Sequence, residues 1–255
     1  MCIVMKPVQR ITRLIIIAAL LTPFGNGAAG EIRVATASNF TTVIKAITQR
    51  FEMQTGHKVI PVFGSTGKHY AQIMNGAPFD VFLAADVHRP RLLEEAGVAL
   101  PGSRFTYATG RIVLWSPREG YVDAAGKRLE NSDFQHLAIA NPRLSPYGKA
   151  AREVLTARGL WEQLSRRMVR GENIGQTFQF VASGNAELGF VAWSQIKRPD
   201  HQPTGSYWEI PRTLHSPIAQ QAVLLKANPA AQDFLDFIKG DEARAIIKDY
   251  GYGTP

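Results

Sequence analysis

The chain predicts an α/β fold in two modules, and three observations carry that expectation. From Glu31 onward, apolar runs of strand length alternate with amphipathic helical patterns, which argues for largely parallel sheets flanked by helices. Four strand-to-helix junctions carry turns of one kind: Ser38-Asn39, Ser65-Thr66, Tyr147-Gly148 and Ile174-Gly175. A Pro101-Gly102-Ser103 break followed by a fresh strand marks passage into a second module near Thr109-Gly110.

The first thirty residues stand apart from the fold. Residues 1–13 carry Lys6, Arg10 and Arg13 and no acid, residues 14–24 are nearly all apolar, and Gly27-Ala28-Ala29-Gly30 supplies small residues for cleavage. This is the pattern of a secretory signal peptide over 1–30. Its apolar run is too short for a membrane span, and no later segment approaches ~18 apolar residues in a row, so the exported protein is expected to be soluble. Cys2, the single cysteine, falls in the removed segment. The exported chain would then have no disulfide, no thiol nucleophile and no lipoprotein cysteine at its cleavage site. A chain of 255 residues buries enough surface to need no staples. The leader holds three of the 29 basic residues and none of the 21 acidic ones, so the formal charge falls from +8 to +5 on cleavage. Such a balance favours anions at long range, yet no basic run is interleaved with aromatics in the manner of nucleic-acid binders.

The elements follow in order. Residues 32–37 form a short apolar strand that runs into Ser38 and Asn39, both preferred helix-capping types, and the helix behind them places Val43, Ile44, Ile47 and Phe51 on one face before Thr55-Gly56 ends it. A second strand, 58–63, leads through Gly64-Ser65-Thr66-Gly67 into a helix that stops at Asn75-Gly76. Residues 80–85 are a third strand, apolar enough to be buried on both faces, with a helix after Asp86 that has Pro90 near its start. In the second module, strands are expected at 111–115, 136–140, 167–170, 188–192 and 206–210. Ser145-Pro146-Tyr147-Gly148 opens one helix, and the turn at 172–176 opens another. The apolar run 217–225 carries the chain back to the first module, where Asn228 and Asp241 cap the terminal helices. The domains are therefore expected as 31–109 plus 222–255, and 110–221.

The four junction turns point to one chemistry. Ligands of open α/β sheets gather at the carboxyl ends of strands, and a helix start offers N–H groups without intrahelical acceptors together with the positive end of its dipole. Two such turns in each module make a cleft of hydroxyls, an amide and backbone N–H groups, all neutral, able to share the charge of a tetrahedral oxyanion. Lys68 is the one nearby charge, and it reads as an exposed helix residue. A nucleotide P-loop is excluded because His69 follows Lys68 and Val62 stands where that motif has glycine. Gly64-Ser65-Thr66-Gly67 also lacks the spacing of a nucleophile elbow. The six histidines are scattered without metal-ligand spacing, and Asp80, Asp86 and Glu187 read as capping or surface carboxylates rather than an acid–base pair. Trp115, Trp161, Trp193 and Trp208 read as core.

These motifs together resemble the periplasmic molybdate-binding proteins of ABC importers, over the whole chain from Glu31 onward. The carriers are V-A-T-A-S-N-F at 34–40, F-G-S-T-G at 63–67 with Y-A-Q-I-M-N-G-A-P-F-D at 70–80, L-A-A-D at 83–86, N-P-R-L-S-P-Y-G at 141–148, E-N-I-G-Q at 172–176 and L-G-F-V-A at 188–192. The resemblance implies a two-lobed type II periplasmic binding protein fold with a ligand cleft between the lobes. It further implies a monomeric periplasmic receptor, without cofactor or catalysis, that delivers molybdate or tungstate to a membrane permease driven by a cytoplasmic ATPase. The matching oxyanion positions are Ser38, Asn39, Ser65 and Thr66, with Tyr147 and Ile174 contributing backbone N–H groups. Ala192 stands where some members have a donor tyrosine, and Asn39 where those members have leucine, which aligns the chain with the branch in which asparagine replaces that tyrosine. The alternatives are a receptor for sulfate, thiosulfate or phosphate and, from another class, an exported hydrolase.

Overall fold

The computed structural model describes residues 1–3, 29–199 and 201–255, so the leader expected over 1–30 lies almost wholly outside the described residues. In chain order the elements are β1 (Glu31–Ala37), a 3-10 turn (Ser38–Phe40), α1 (Thr41–Thr55), β2 (Lys58–Gly64), α2 (Thr66–Met74), β3 (Val81–Leu83), α3 (His88–Glu95), β4 (Phe105–Gly110), β5 (Ile112–Ser116), α4 (Arg128–Asn131), β6 (Leu137–Ala140) and α5 (Pro146–Ala157). They continue with α6 (Trp161–Leu164), β7 (Met168–Gly171), α7 (Ile174–Ala182), β8 (Leu188–Ala192), α8 (Trp193–Ile196), β9 (Ser206–Glu209), β10 (Ile218–Leu224), α9 (Pro229–Lys239) and α10 (Asp241–Asp249).

Two sheets organise the molecule as two lobes. The first has the order β2-β1-β3-β10-β4 and the second β7-β6-β8-β5-β9. Each has a parallel triplet at one side, β2-β1-β3 or β7-β6-β8, followed by an antiparallel strand, β10 or β5. Strands buried on both faces read as unbroken apolar runs, which is why alternation is absent from β3. Val81 and Leu83 pack into one cluster with Ile32, Val34, Ile44 and Phe234, while Phe82 packs into another with Ala35, Ile73 and Leu93. The second lobe is sandwiched likewise: Leu114, Ile139 and Phe190 join one cluster, and Val113, Ala138 and Val191 the other.

Two connections cross between the lobes. β4 and β5 are separated by Arg111 alone, and the chain returns from β9 through residues 210–217 into β10. Behind them runs the tail: Gly253 exchanges backbone hydrogen bonds with Thr109 at 2.7 and 2.9 Å.

The local signals for helix ends hold in most places. Ser65, Ser145, Asn173 and Asn228 are N-caps whose side chains accept from the first turns of α2, α5, α7 and α9, each such cap contributing about 1 kcal/mol. Gly56 ends α1 with φ 74°. Three expectations are corrected. Ser38 and Asn39 lie inside a 3-10 turn, and α1 has Phe40 as its N-cap without a side-chain cap, because their side chains are engaged elsewhere. Asp241 is the first residue of α10 rather than its cap, which is Gly240. The third strand spans three residues instead of six: at one end the Asp80 carboxylate accepts the Arg33 N–H at 2.7 Å, and at the other the Ala85 N–H donates to Thr66 Oγ1 rather than to a neighbouring strand.

β4 was not expected at all. Its pairing with β10 runs Gln220 to Ala108 but Gln221 to Thr106, so Tyr107 is an extra residue on β4, a bulge. Tyr107 and Ala108 are consequently both buried, and the period-two pattern that announces a strand is broken.

Candidate functional site

The site follows from strand register. β1 and β2 are parallel and end together, with Ala37 opposite Gly64, so the Ser38 and Ser65 turns emerge side by side. β6 and β7 end together in the same way, Ala140 opposite Gly171. The starts of α5 and α7 follow those ends at Pro146 and Ile174. Two pairs of strand ends, one from each lobe, thus meet across the cleft.

Direct bonds across the cleft draw the turns together. Gly175 N–H donates to Ser38 Oγ at 3.1 Å, and Gly67 N–H donates to the Leu144 carbonyl at 2.9 Å, immediately before the Ser145 cap. A Cβ on Gly67 would stand 3.0 Å from both the Cα and the carbonyl oxygen of Leu144, so glycine is what allows the two backbones to approach. At the mouth, Lys68 Nζ reaches Glu172 at 3.2 Å, and Arg89, paired with Asp86, donates to the Arg143 carbonyl at 2.9 Å. Lys68 is exposed as expected, but it is a cross-lobe ion pair rather than a free surface residue.

The three hydroxyls share one arrangement. Ser38 Oγ accepts from Gly175 N–H, Ser65 Oγ accepts from Lys68 N–H at 3.3 Å, and Thr66 Oγ1 accepts from Ala85 N–H at 3.1 Å. A hydroxyl oriented by an incoming N–H keeps its own proton to donate. Tyr147 and Ile174 lie in the first turns of α5 and α7, where backbone N–H groups have no intrahelical acceptor. Both residues are nearly fully buried.

The side chains of Asn39 and Tyr147 do something the sequence did not announce. Asn39 Nδ2 donates to Gln220 Oε1 and to the Tyr252 hydroxyl, each at 2.9 Å. Gln220 Oε1 also accepts from the Tyr107 hydroxyl at 3.1 Å, while Gln220 Nε2 donates to the Tyr147 hydroxyl at 3.3 Å. Burial pushes the phenols of Tyr107 and Tyr147 well above their ordinary value and that of Tyr252 up to about 12, so all three remain neutral and protonated. In α8, Gln195 Nε2 donates to the Ile174 carbonyl at 3.0 Å and Gln195 Oε1 accepts from Ala192 N–H, bracing the start of α7. Gln220, Tyr107, Tyr252 and Gln195 had no sequence signature. A lone buried amide or phenol in a strand or tail resembles any other until the fold gathers them.

The carboxylates considered for acid–base work are committed to structure. Asp80 holds Arg33 N–H, and Asp86 holds Arg89 through its backbone and side chain. Burial pushes Glu187 up, but hydrogen bonds from the His136 and Gln135 N–H groups bring its carboxyl below the usual range. Among the described residues no group of three or more His, Cys, Asp or Glu is placed to hold a metal ion, and no helix is long and apolar enough to cross a membrane. Cavities of about 350 Å³ behind the crossing strands and about 230 Å³ beside α5 are lined by none of the six predicted site residues.

Comparison with known proteins gives a consistent set of likenesses. Residues 32–253 match the family described as bacterial extracellular solute-binding protein. A molybdate-binding protein of Azotobacter vinelandii is 53% identical over 228 residues, covering 88% of this chain and 90% of that protein. One of Rhodobacter capsulatus is 46% identical over 246 residues, covering 95% of each. The solved structure of an Azotobacter vinelandii periplasmic molybdate-binding protein aligns with a TM-score of 0.86 at 45% identity, covering 88% of this chain and 99% of that one.

Proposed function

Because this chain belongs to the bacterial extracellular solute-binding protein family, we propose that it is the periplasmic receptor of an ABC importer that captures molybdate, and tungstate with it, and hands it to a membrane permease. The observation that carries this reading is the donor set. Ser38, Ser65 and Thr66 each accept a backbone N–H and so have a proton left to give, and they stand opposite the first-turn N–H groups of Tyr147 and Ile174. No carboxylate is among them. A site of donors alone suits an oxyanion that carries no proton at neutral pH, as molybdate does, over one such as phosphate, whose bound proton calls for an acceptor. The turns bond directly to one another, Gly175 to Ser38 and Gly67 to Leu144, and such closeness favours an ion of a few atoms over an organic ligand, whose pockets run to about 300–1,000 Å³.

The mechanism is binding without reaction. Lobe 1, taken as 31–109 plus 222–255, supplies Ser38, Asn39, Ser65 and Thr66; lobe 2, taken as 110–221, supplies Tyr147 and Ile174. Core packing supports a boundary within β10, with Ile218 in the second core and Ala222 in the first, while the whole strand pairs in the first sheet. Closure desolvates the anion and lets helix starts and hydroxyls replace its water. Tyr147 acts through its backbone N–H, its phenol being engaged with Gln220. The leader over 1–30 directs export, and the receptor works as a monomer with the permease and its cytoplasmic ATPase as partners.

Calorimetric titration of the exported protein with molybdate, tungstate, sulfate and phosphate tests the proposal. Tight, comparable binding of the first two with weak binding of the others is expected. Sulfate or thiosulfate binding as tightly as molybdate would replace the proposal with a general oxyanion receptor, and turnover of an ester substrate would replace it with a hydrolase.

A further inference from the structure

Asn39 sits beside the oxyanion turn, yet its backbone carbonyl is gripped from behind by two hydroxyls of different origin. Ser194 Oγ, in α8 of the second lobe, reaches it at 3.1 Å, and the Tyr252 hydroxyl, in the C-terminal tail, reaches it at 2.9 Å. The two hydroxyls also contact one another at 2.8 Å, and all three residues are buried. Tyr252 additionally accepts from Asn39 Nδ2, so it holds both ends of the residue.

The anchors are themselves fixed at the crossing point of the lobes. The tail is strapped to β4 through the Gly253–Thr109 pair, and a Cβ on Gly251 would fall 2.3 Å from the Trp193 ring, so the tail lies flat against α8. Trp193 in turn receives Arg111 over its ring, and its backbone N–H donates to the Arg111 carbonyl at 2.9 Å, on the link between β4 and β5. In a planar trans peptide the C=O and the following N–H point in opposite directions, so a clamp on the Asn39 carbonyl sets the direction of the Phe40 N–H and with it the pitch of the whole turn.

We infer that Tyr252 and Ser194 are positioning residues for anion capture: together they clamp the Asn39 carbonyl at the hinge and so tie the aim of the Ser38–Asn39 turn to the relative placement of the lobes. The inference deepens the proposed receptor function and rests on it for the identity of the anion, but not for the coupling itself. Gln220 belongs to the same device, because its amide joins Asn39 of the turn, Tyr107 of the bulge and Tyr147 of α5.

The test uses Tyr252→Phe, which keeps the ring packed edge-on against Phe40 at 5.4 Å, and Ser194→Ala, with Leu235→Ala as a core-destabilised control remote from the clamp. Spin labels on Met53→Cys and Asn131→Cys, one on each lobe, report the interlobe distance in the exported protein, which lacks Cys2. Without any added anion, both hydroxyl variants should broaden the distance distribution while Leu235→Ala lowers only the melting temperature. With molybdate, each variant should dissociate about tenfold faster at an unchanged association rate, and the double variant should add little, since both act on one carbonyl. Distance distributions and dissociation rates that match those of the wild type or of the Leu235→Ala control would overturn the inference. A wild type that fails to bind molybdate would overturn the receptor reading, while the anion-free distances would still decide the clamp.

Discussion

At the residue scale, the proposed function distinguishes side chains that would give protons to the anion from those that hold the frame. Ser38→Ala and Thr66→Ala each remove a hydrogen bond to a charged group, typically worth about 1.5–3 kcal/mol, so molybdate affinity should fall roughly ten- to a hundredfold by calorimetry. Tyr147→Phe should change affinity much less and instead lower stability by about 1 kcal/mol, because Gln220 Nε2 loses its acceptor while the backbone N–H is untouched. Asn39→Ala should lower stability, since both hydrogens of its amide are committed to Gln220 and Tyr252, and should lower affinity only through the loosened turn. His69 gives a pH dependence of known sign. Its ring is buried under β1, with Nε2 against the Thr36 carbonyl and Nδ1 against Gln72, and burial lowers its pKa below 6.5. The unfolded chain therefore takes up this proton at higher pH than the folded one. Its contribution to stability is complete above about pH 6.5 and is lost as pH falls below that, down to the folded-state pKa. Denaturant midpoints measured across that range should slope downward toward acid in the wild type and be flatter there in His69→Gln.

At the scale of elements, the starts of α2 and α7 carry the cleft and also its closing contact. Lys68 lies two residues after Thr66 and Glu172 two before Ile174, so their 3.2 Å pair spans the mouth when the turns meet. Both side chains are about half exposed, at 50% and 40%, and such pairs contribute only about 0.2–1 kcal/mol in ordinary salt. Lys68→Ala should accordingly speed molybdate release by no more than about fivefold, with the difference vanishing at high salt. Lys68→Glu should release faster still by setting like charges across the mouth, and Lys68→Glu with Glu172→Lys should return toward the wild type in stopped-flow measurements. A loss of affinity for Lys68→Ala larger than for Ser38→Ala would mean that a charge clamp, and not neutral donors, holds the anion.

At the scale of the molecule, capture couples to stability. A ligand that binds only the folded protein stabilises it by about 2.7 kcal/mol at a hundredfold excess over its dissociation constant. Molybdate at that excess should therefore raise the thermal midpoint, and sulfate at equal concentration should raise it far less; equal shifts would remove the claim of selectivity. The mild positive balance of the exported chain assists encounter at long range, so association should slow as ionic strength rises.

What the sequence determined by itself is whatever local chemistry decides. Apolar runs and helical periodicity announced the parallel strands and their helices, because burial on both faces and amphipathic packing leave a pattern within a dozen residues. Ser65, Ser145, Asn173 and Asn228 announced helix starts, since a cap bonds within its own turn. The tertiary structure decided the rest. Only the register of β1 with β2 and of β6 with β7 sets the four turns face to face. The bulge at Tyr107 hid β4 and aimed a phenol into the hinge. Asn39 was legible as a polar residue in a turn, but its partners Gln220 and Tyr252 lie 181 and 213 residues away along the chain. A hydrogen bond across that separation leaves no spacing to read, because each partner is placed by a different strand or tail, and only the closed fold brings them within 3 Å.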